Sequence, residues 1–235
     1  MTSDSTFRVV AIVCLVAVVI DSLLHYVRFG RRIRAAGPSG GRGDLRRFGL
    51  IERVALVGFA LTLLCLAVTG LAANLLFGEK LEGWLLMLHV AAGGGFIVCL
   101  LLMALFWAED CRFRGHDAEF RRAARTHPGE PAPAWRFDAA QKVTFWAALI
   151  LGLITTLTMM VSMLPVFSPE GMEVLRDIHR YCGLLLALFA YIHVYQTVIV
   201  RRGRLGWLVW GKVNSDWARH YHPIWWQVVK GKEGK

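Results

Sequence analysis

The sequence predicts an all-α integral membrane protein, a four-helix transmembrane bundle with one extra transmembrane helix at its N-terminus. Three observations predict it. The 235 residues are 56% hydrophobic, with a mean hydropathy of +0.47. Those apolar residues gather into five blocks, each long enough to cross a hydrocarbon layer of about 30 Å as a helix. The net charge of +10 is carried mainly by arginines between the blocks, where positive loops set topology. Such a charge also raises nucleic-acid binding, but the arginine clusters lie between apolar spans. No nucleic-acid partner is expected, and membrane lipid is.

The first span covers 7–27 (FRVVAIVCLVAVVIDSLLHYV). A signal peptide would place its basic region before the apolar core. Here the charge follows, as Arg28, Arg31, Arg32 and Arg34, so a retained span with its N-terminus outside is expected. The loop 28–51 is rich in Gly, Arg, Pro and Ser. The second span, 52–76, ends in a short loop with Gly78, Glu79, Lys80 and Glu82. The third, 84–107, has Trp84 and Trp107 at its two ends as interface anchors. The loop 108–138 is polar, and Pro128, Pro131 and Pro133 exclude helix from its second half. The fourth span, 139–164, stops at Pro165, and the fifth runs over 174–200 to Arg201 and Arg202. A basic, aromatic tail fills 201–235. Loops 77–83 and 165–173 hold one lysine and no arginine. The basic loops 28–51 and 108–138 and the tail therefore face the cytoplasm, in a single membrane domain over 1–235.

The five cysteines, Cys14, Cys65, Cys99, Cys111 and Cys182, form no CxxC or CxxCH. That argues against an iron–sulfur cluster, a c-type haem or a disulfide framework in this chain. Histidines inside the spans carry the chemical signal. An ionisable side chain in a membrane is expensive and seldom lacks a partner, and neutral imidazole is a haem iron ligand. His179 and His193 are 14 residues apart, so they lie about 40° apart on one helix face with a rise of roughly 21 Å. His89 lies at the outer end of the third span, at the depth of His179. This is the geometry for bis-histidine ligation of an outer b haem by His89 and His179, with His193 at an inner level. Gly93, Gly94 and Gly95 follow His89, and Gly183 lies one turn beyond His179. Glycine admits a flat ring or a neighbouring helix equally well.

A family resemblance supplies more. Glu52-Arg53 opens a span; LHVAAGG, FDAAQKVTFW at 137–146, IHRYCG and YIHVYQ at 178–196, and WARHYHPIWW at 217–226 follow in order. With these pieces, residues 46–227 resemble the di-haem cytochrome b (gamma) subunit of membrane-bound formate dehydrogenase. The resemblance implies iron ligands at His89, His179 and His193, and a fourth just after the Glu-Arg pair. This chain has Ala55 there. His25, near the cytoplasmic end of the first span, is a replacement at similar depth, and Asp21 one turn earlier is placed to fix its tautomer. His25 and His193 are thus expected to ligate the inner haem; the alternative is a polar helix end, with a single haem or a five-coordinate second one. The resemblance also implies a quinone pocket at FDAAQK, with Asp138 and Gln141 as its residues. Against that stands an ordinary helix start, with Asp138 as N-cap and Lys142 snorkelling. Arg176 and Arg180 flank His179, either pairing with haem propionates or marking the interface. His116 and His127 are expected to be solvated, and His220 and His222 to dock a partner.

The function implied is that of a cytochrome b subunit of a respiratory oxidoreductase in a bacterial inner membrane. It would pass electrons from an iron–sulfur subunit to quinone on the cytoplasmic side. No pterin or nucleotide motif is present, so a separate catalytic dehydrogenase subunit is expected. The same histidines would suit a hydrogenase or thiosulfate-reductase subunit or a stand-alone quinone-linked cytochrome. A haem-free transporter or anchor is the non-redox alternative.

Overall fold

The computed structural model describes residues 3–35, 43–77, 81–126, 130–164, 166–200 and 206–233. The middle of the first basic loop, Gly78 to Lys80, His127, Pro128, Pro165, Arg201 and Arg202 lie outside the described residues. So do the expectations attached to them.

The apolar blocks become helices because a bilayer offers the backbone no hydrogen-bond partner, and a helix satisfies its own groups. In chain order they are α1 (Ser3–Ala35), α2 (Leu50–Ala72) and α3 (Gly83–Trp107), then the short α4 (Gly115–Thr126), α5 (Ala139–Ser162) and α6 (Pro169–Val194). Wider π-helical turns continue α2 over Ala73–Phe77 and α6 over Tyr195–Val200. The tail folds into α7 (Gly206–Trp210), α8 (Ser215–Tyr221) and α9 (Pro223–Glu233). Two-residue strands, β1 (Leu45–Arg46) and β2 (Lys212–Val213), pair antiparallel, Leu45 opposite Val213. Threonines within the spans return their hydroxyls to their own helix, as Thr62 does to the Gly58 carbonyl at 2.7 Å.

Among the described residues, five helices are long and apolar enough to cross a membrane: Asp4–Arg31, Leu50–Leu76, Gly83–Trp107, Ala139–Ser162 and Pro169–Val200. Their apolar side chains point outward; Val27 is 80% exposed, Leu105 77% and Leu76 76%. In water each would forgo about 1.5–3 kcal/mol of burial, so a hydrocarbon surround is required. The chain is a multi-pass, all-α membrane protein. The fifth span begins at Pro169, five residues before the expected start, because proline is suited to the first helical position. The polar loop 108–138 is not wholly irregular; α4 occupies its first half, ahead of the prolines.

The chain packs as two compact units. The first comprises Met1–Ile20, Ala55–Ala104 and Ala147–Tyr191. Leu63, Phe96, Leu100, Ala148 and Leu186 form one of its cores, and Phe7, Ala11 and Leu184 another. Its helices meet at glycines. A Cβ on Gly58 would stand 2.7 Å from Cys99 Sγ, and one on Gly152 2.7 Å from Leu100, so any larger residue would push the helices apart.

The second unit comprises Asp21–Val54, Leu105–Trp146 and Ile192–Lys235. Leu45, Val213, Trp217, Ala218 and Trp225 are its core. Charges run through it in pairs. Arg136 bonds Glu52 at 2.6 Å and Asp110 at 2.8 Å, and Glu52 also accepts from the Trp107 indole at 2.6 Å and from the Gly49 amide. Arg53 donates to the carbonyls of Leu208 and Val209. The Glu-Arg pair that opens the second span is therefore a structural clasp. Gly211, at φ +67°, accepts from the Arg47 and Phe48 amides; a Cβ there would meet the Phe48 carbonyl oxygen at 2.4 Å.

Candidate functional site

In the first unit, His89 on α3 and His179 on α6 face each other with ring centroids 6.3 Å apart. Two imidazoles on opposite sides of one metal would have centres about 6.4 Å apart, from a bond of about 2 Å and roughly 1.2 Å from nitrogen to ring centre on each side. The observed separation fits that span.

The hydrogen bonds fix the tautomers. His179 Nδ1 lies 2.9 Å from the Thr155 carbonyl oxygen, which only accepts, so Nδ1 carries the hydrogen. His89 Nδ1 lies 2.7 Å from Thr69 Oγ1. That hydroxyl donates to the Cys65 carbonyl at 2.7 Å, which leaves it to accept from His89. Both rings keep the Nε2 lone pair for a metal, each held from behind by a partner of the kind that orients ligating histidines. Neither Thr69 nor Thr155 was legible as a site residue beforehand.

Both histidines line a cavity of about 890 Å³, within the range of small-molecule and cofactor sites. Gly70 and Gly183 line it too. A Cβ on Gly70 would lie 3.3 Å from the His89 ring, whereas one on Gly183 would meet nothing within 4 Å, the open cradle a flat ring needs. Gly94 does neither. It is exposed and does not line this cavity, because five residues beyond His89 the helix has turned to a direction about 140° away. The arginines that line the cavity are Arg8, Arg176 and Arg180. Arg180 pairs with Asp4 at 2.5 Å and Asp177 at 2.8 Å, and Arg176 with Glu173 at 3.3 Å. The donor set, the cradle and the cations fit a haem with ionised propionates.

In the second unit, His193 is half-buried at the end of α6. Two residues on, the Tyr195 hydroxyl lies 2.8 Å from His25 Nδ1, and the two rings meet edge to face with centroids 5.8 Å apart. His25 is thus brought to the turn that follows His193. Its partner is Tyr195 and not Asp21, which is exposed on α1. With Tyr195 on Nδ1, Nε2 is the nitrogen left for a metal.

Asp138 and Gln141 form a reciprocal capping box at the start of α5. Asp138 Oδ1 accepts from the Ala140 and Gln141 amides at 2.9 and 3.1 Å, and Gln141 Oε1 from the Asp138 amide at 3.1 Å. Both side chains are buried. Lys142 does not snorkel. It is fully buried, donating to Asp117 at 2.8 Å and to the Arg112 carbonyl at 3.0 Å. His116 is partly buried beside Asp117, not solvated. His222 is fully buried, with Nδ1 donating to the Trp135 carbonyl at 2.7 Å and Nε2 facing Arg47 at 3.3 Å. It ties the tail to the loop before α5 and offers no surface to a partner. His220 stays partly exposed. Cys111 is buried, and that burial, with the Asp110 carboxylate beside it, pushes its thiol up to about 12.

Fold and site together define a class: a multi-pass helical membrane protein with imidazoles from two different spans meeting in one cavity. Residues 47–211 match the prokaryotic cytochrome b561 family, and the chain belongs to it. Haem b is the cofactor this family implies. The chain is also 29% identical over 108 residues to the nitrate-inducible formate dehydrogenase cytochrome b556(Fdn) subunit of Escherichia coli K12, covering 44% of this chain and 49% of that one. It is 29% identical over 99 residues to the formate dehydrogenase cytochrome b556(fdo) subunit of the same strain, covering 40% and 46%. The matches span about half the length of these relatives. The similarity to formate dehydrogenase cytochrome b subunits expected from the motifs is borne out.

Proposed function

We propose that this chain is the electron-transfer subunit of a respiratory oxidoreductase of the formate dehydrogenase type in a bacterial inner membrane. It takes electrons from an iron–sulfur partner on the outer face and delivers them to quinone on the cytoplasmic side. A separate dehydrogenase subunit acts on the primary substrate. The observation that carries the reading is the His89–His179 pair, 6.3 Å between ring centres inside a cavity of about 890 Å³.

Bound haem supplies a one-electron carrier. His89 and His179 would hold the outer ring, with Thr69 and the Thr155 carbonyl keeping each imidazole in the tautomer that leaves Nε2 free. His193 and His25 would hold the inner ring, with Tyr195 in the corresponding supporting role. The ligand missing at Ala55 would then come from the extra first helix. Quinone binds at the cytoplasmic start of α5. The capping box of Asp138 and Gln141 sets the direction of that helix.

Purification of the tagged chain from its native membrane tests the assembly. Co-elution with an iron–sulfur protein and a molybdenum- or tungsten-containing dehydrogenase is expected, with formate-driven reduction of the haem bands. Nickel in place of those metals would assign the chain to a hydrogenase.

A further inference from the structure

We propose that the extra N-terminal helix completes the outer haem site, with Arg8 binding a haem propionate. The proposal rests on the haem reading above. It concerns a helix that precedes residue 47, where the family match begins.

The first turns of α1 are anchored in the first unit. Phe7 is 1% exposed and Ala11 0%, packed with Leu184, Leu71 and Tyr181. The Phe7 ring lies under the Arg180 guanidinium, with Cζ 4.9 Å from its centroid, and edge-on to Tyr181 at 5.2 Å. This packing brings Asp4, Phe7 and Arg8 to the wall of the cavity that holds His89 and His179.

The three cavity arginines differ in their partners. Arg180 and Arg176 are tied to carboxylates of the chain, Asp4 bridging the two at 2.5 and 3.6 Å. Arg8 has no ion pair among the described residues, while its Nε, like those of Arg176 and Arg180, is buried without a hydrogen-bond partner. A guanidinium does not deprotonate. A cation inside an apolar span is costly unless an anion meets it. Haem b carries two carboxylates on one edge of the ring, and the ring's place is fixed by the imidazoles of the same cavity. Arg8 supplies a propionate with the charge-assisted contact that Arg176 and Arg180 make to carboxylates of the chain. The competing anion is a phospholipid phosphate at the membrane surface.

The test is a spectroscopic redox titration of the full chain in nanodiscs of native lipid, the outer haem being the component lost in His89→Ala. Arg8→Gln removes a positive charge that favours the reduced ring. At fixed ambient potential its reduced-to-oxidised ratio should fall three- to tenfold, tenfold being 59 mV for one electron. Arg8→Lys should recover most of the shift. Arg28→Gln, on the same helix but away from this cavity, should show none. Asp4→Asn removes a negative charge from the same wall and should shift the ratio the opposite way; this arm stands even if Arg8→Gln fails to fold. An unshifted outer haem in either Arg8→Gln or Asp4→Asn, with haem content intact, overturns the proposal. An Arg8→Gln chain that instead loses bound phospholipid assigns the residue to the lipid. A wild-type chain without haem overturns the proposed function itself.

Discussion

His25 is the ligand that this chain would have to borrow, and Tyr195 is the contact that makes the borrowing physical. Tyr195→Phe keeps the ring that packs against His25 at 5.8 Å between centroids and removes only the hydroxyl that meets Nδ1 at 2.8 Å. A single hydrogen bond of this kind is worth about 0.5–1.5 kcal/mol net. Loss of the group that orients a ligating histidine typically weakens the metal site by roughly 10–100-fold, or about 1.4–2.8 kcal/mol. Tyr195→Phe should therefore release the inner haem that much more readily into an apo-myoglobin acceptor, with the outer haem unaffected. His25→Ala should abolish the low-spin inner-haem signal in the electron paramagnetic resonance spectrum, leaving one bis-imidazole signal per chain. Two unaltered low-spin signals in His25→Ala would show that His25 is not a haem ligand. His193 would then have a different partner, and the Tyr195 contact would be ordinary helix packing.

Other outcomes follow from the same geometry. Thr69→Val preserves volume but leaves His89 Nδ1 without its acceptor, so outer-haem affinity should drop roughly 10–100-fold, measured by the same release assay. Asp117→Asn strands the fully buried Lys142 ammonium and should cost about 3–5 kcal/mol, seen as a lower melting temperature in detergent. Lys142→Met combined with Asp117→Leu should be milder, because no charge is left buried. Cys111 should resist maleimide at pH 8 while folded and react once denatured. Its folded-state pKa of about 12 stands above the ordinary value of 9.0, so the folded chain holds that proton more tightly. This contribution to stability is complete below about pH 9 and is lost as pH rises towards 12.

The spans were legible because an apolar run of more than 20 residues has few alternatives to a membrane helix. The meeting of His89 and His179 was legible too, since depth along two helices follows from residue count alone. Azimuth was not. Gly94 looked like a ring contact by nearness in sequence, whereas helical phase gives that place to Gly70 and Gly183. The supports behind the imidazoles join residues 20, 24 and 170 positions apart, and one of them is a main-chain carbonyl with no side-chain signature. Arg8 could have been flagged as a charge at the second position of the expected span 7–27, but its cavity is visible only once α1 is packed. His222 misled because its aromatic, basic surroundings resemble a docking surface; the fold turns them inward as a clasp around Trp135 and Arg47.

Haem stoichiometry of the purified wild-type chain, by pyridine haemochrome against quantitative amino-acid analysis, tests the account most directly. Two b haems per polypeptide are expected, falling to one in either His89→Ala or His25→Ala. A colourless wild-type protein, or one haem that survives both substitutions, would contradict it.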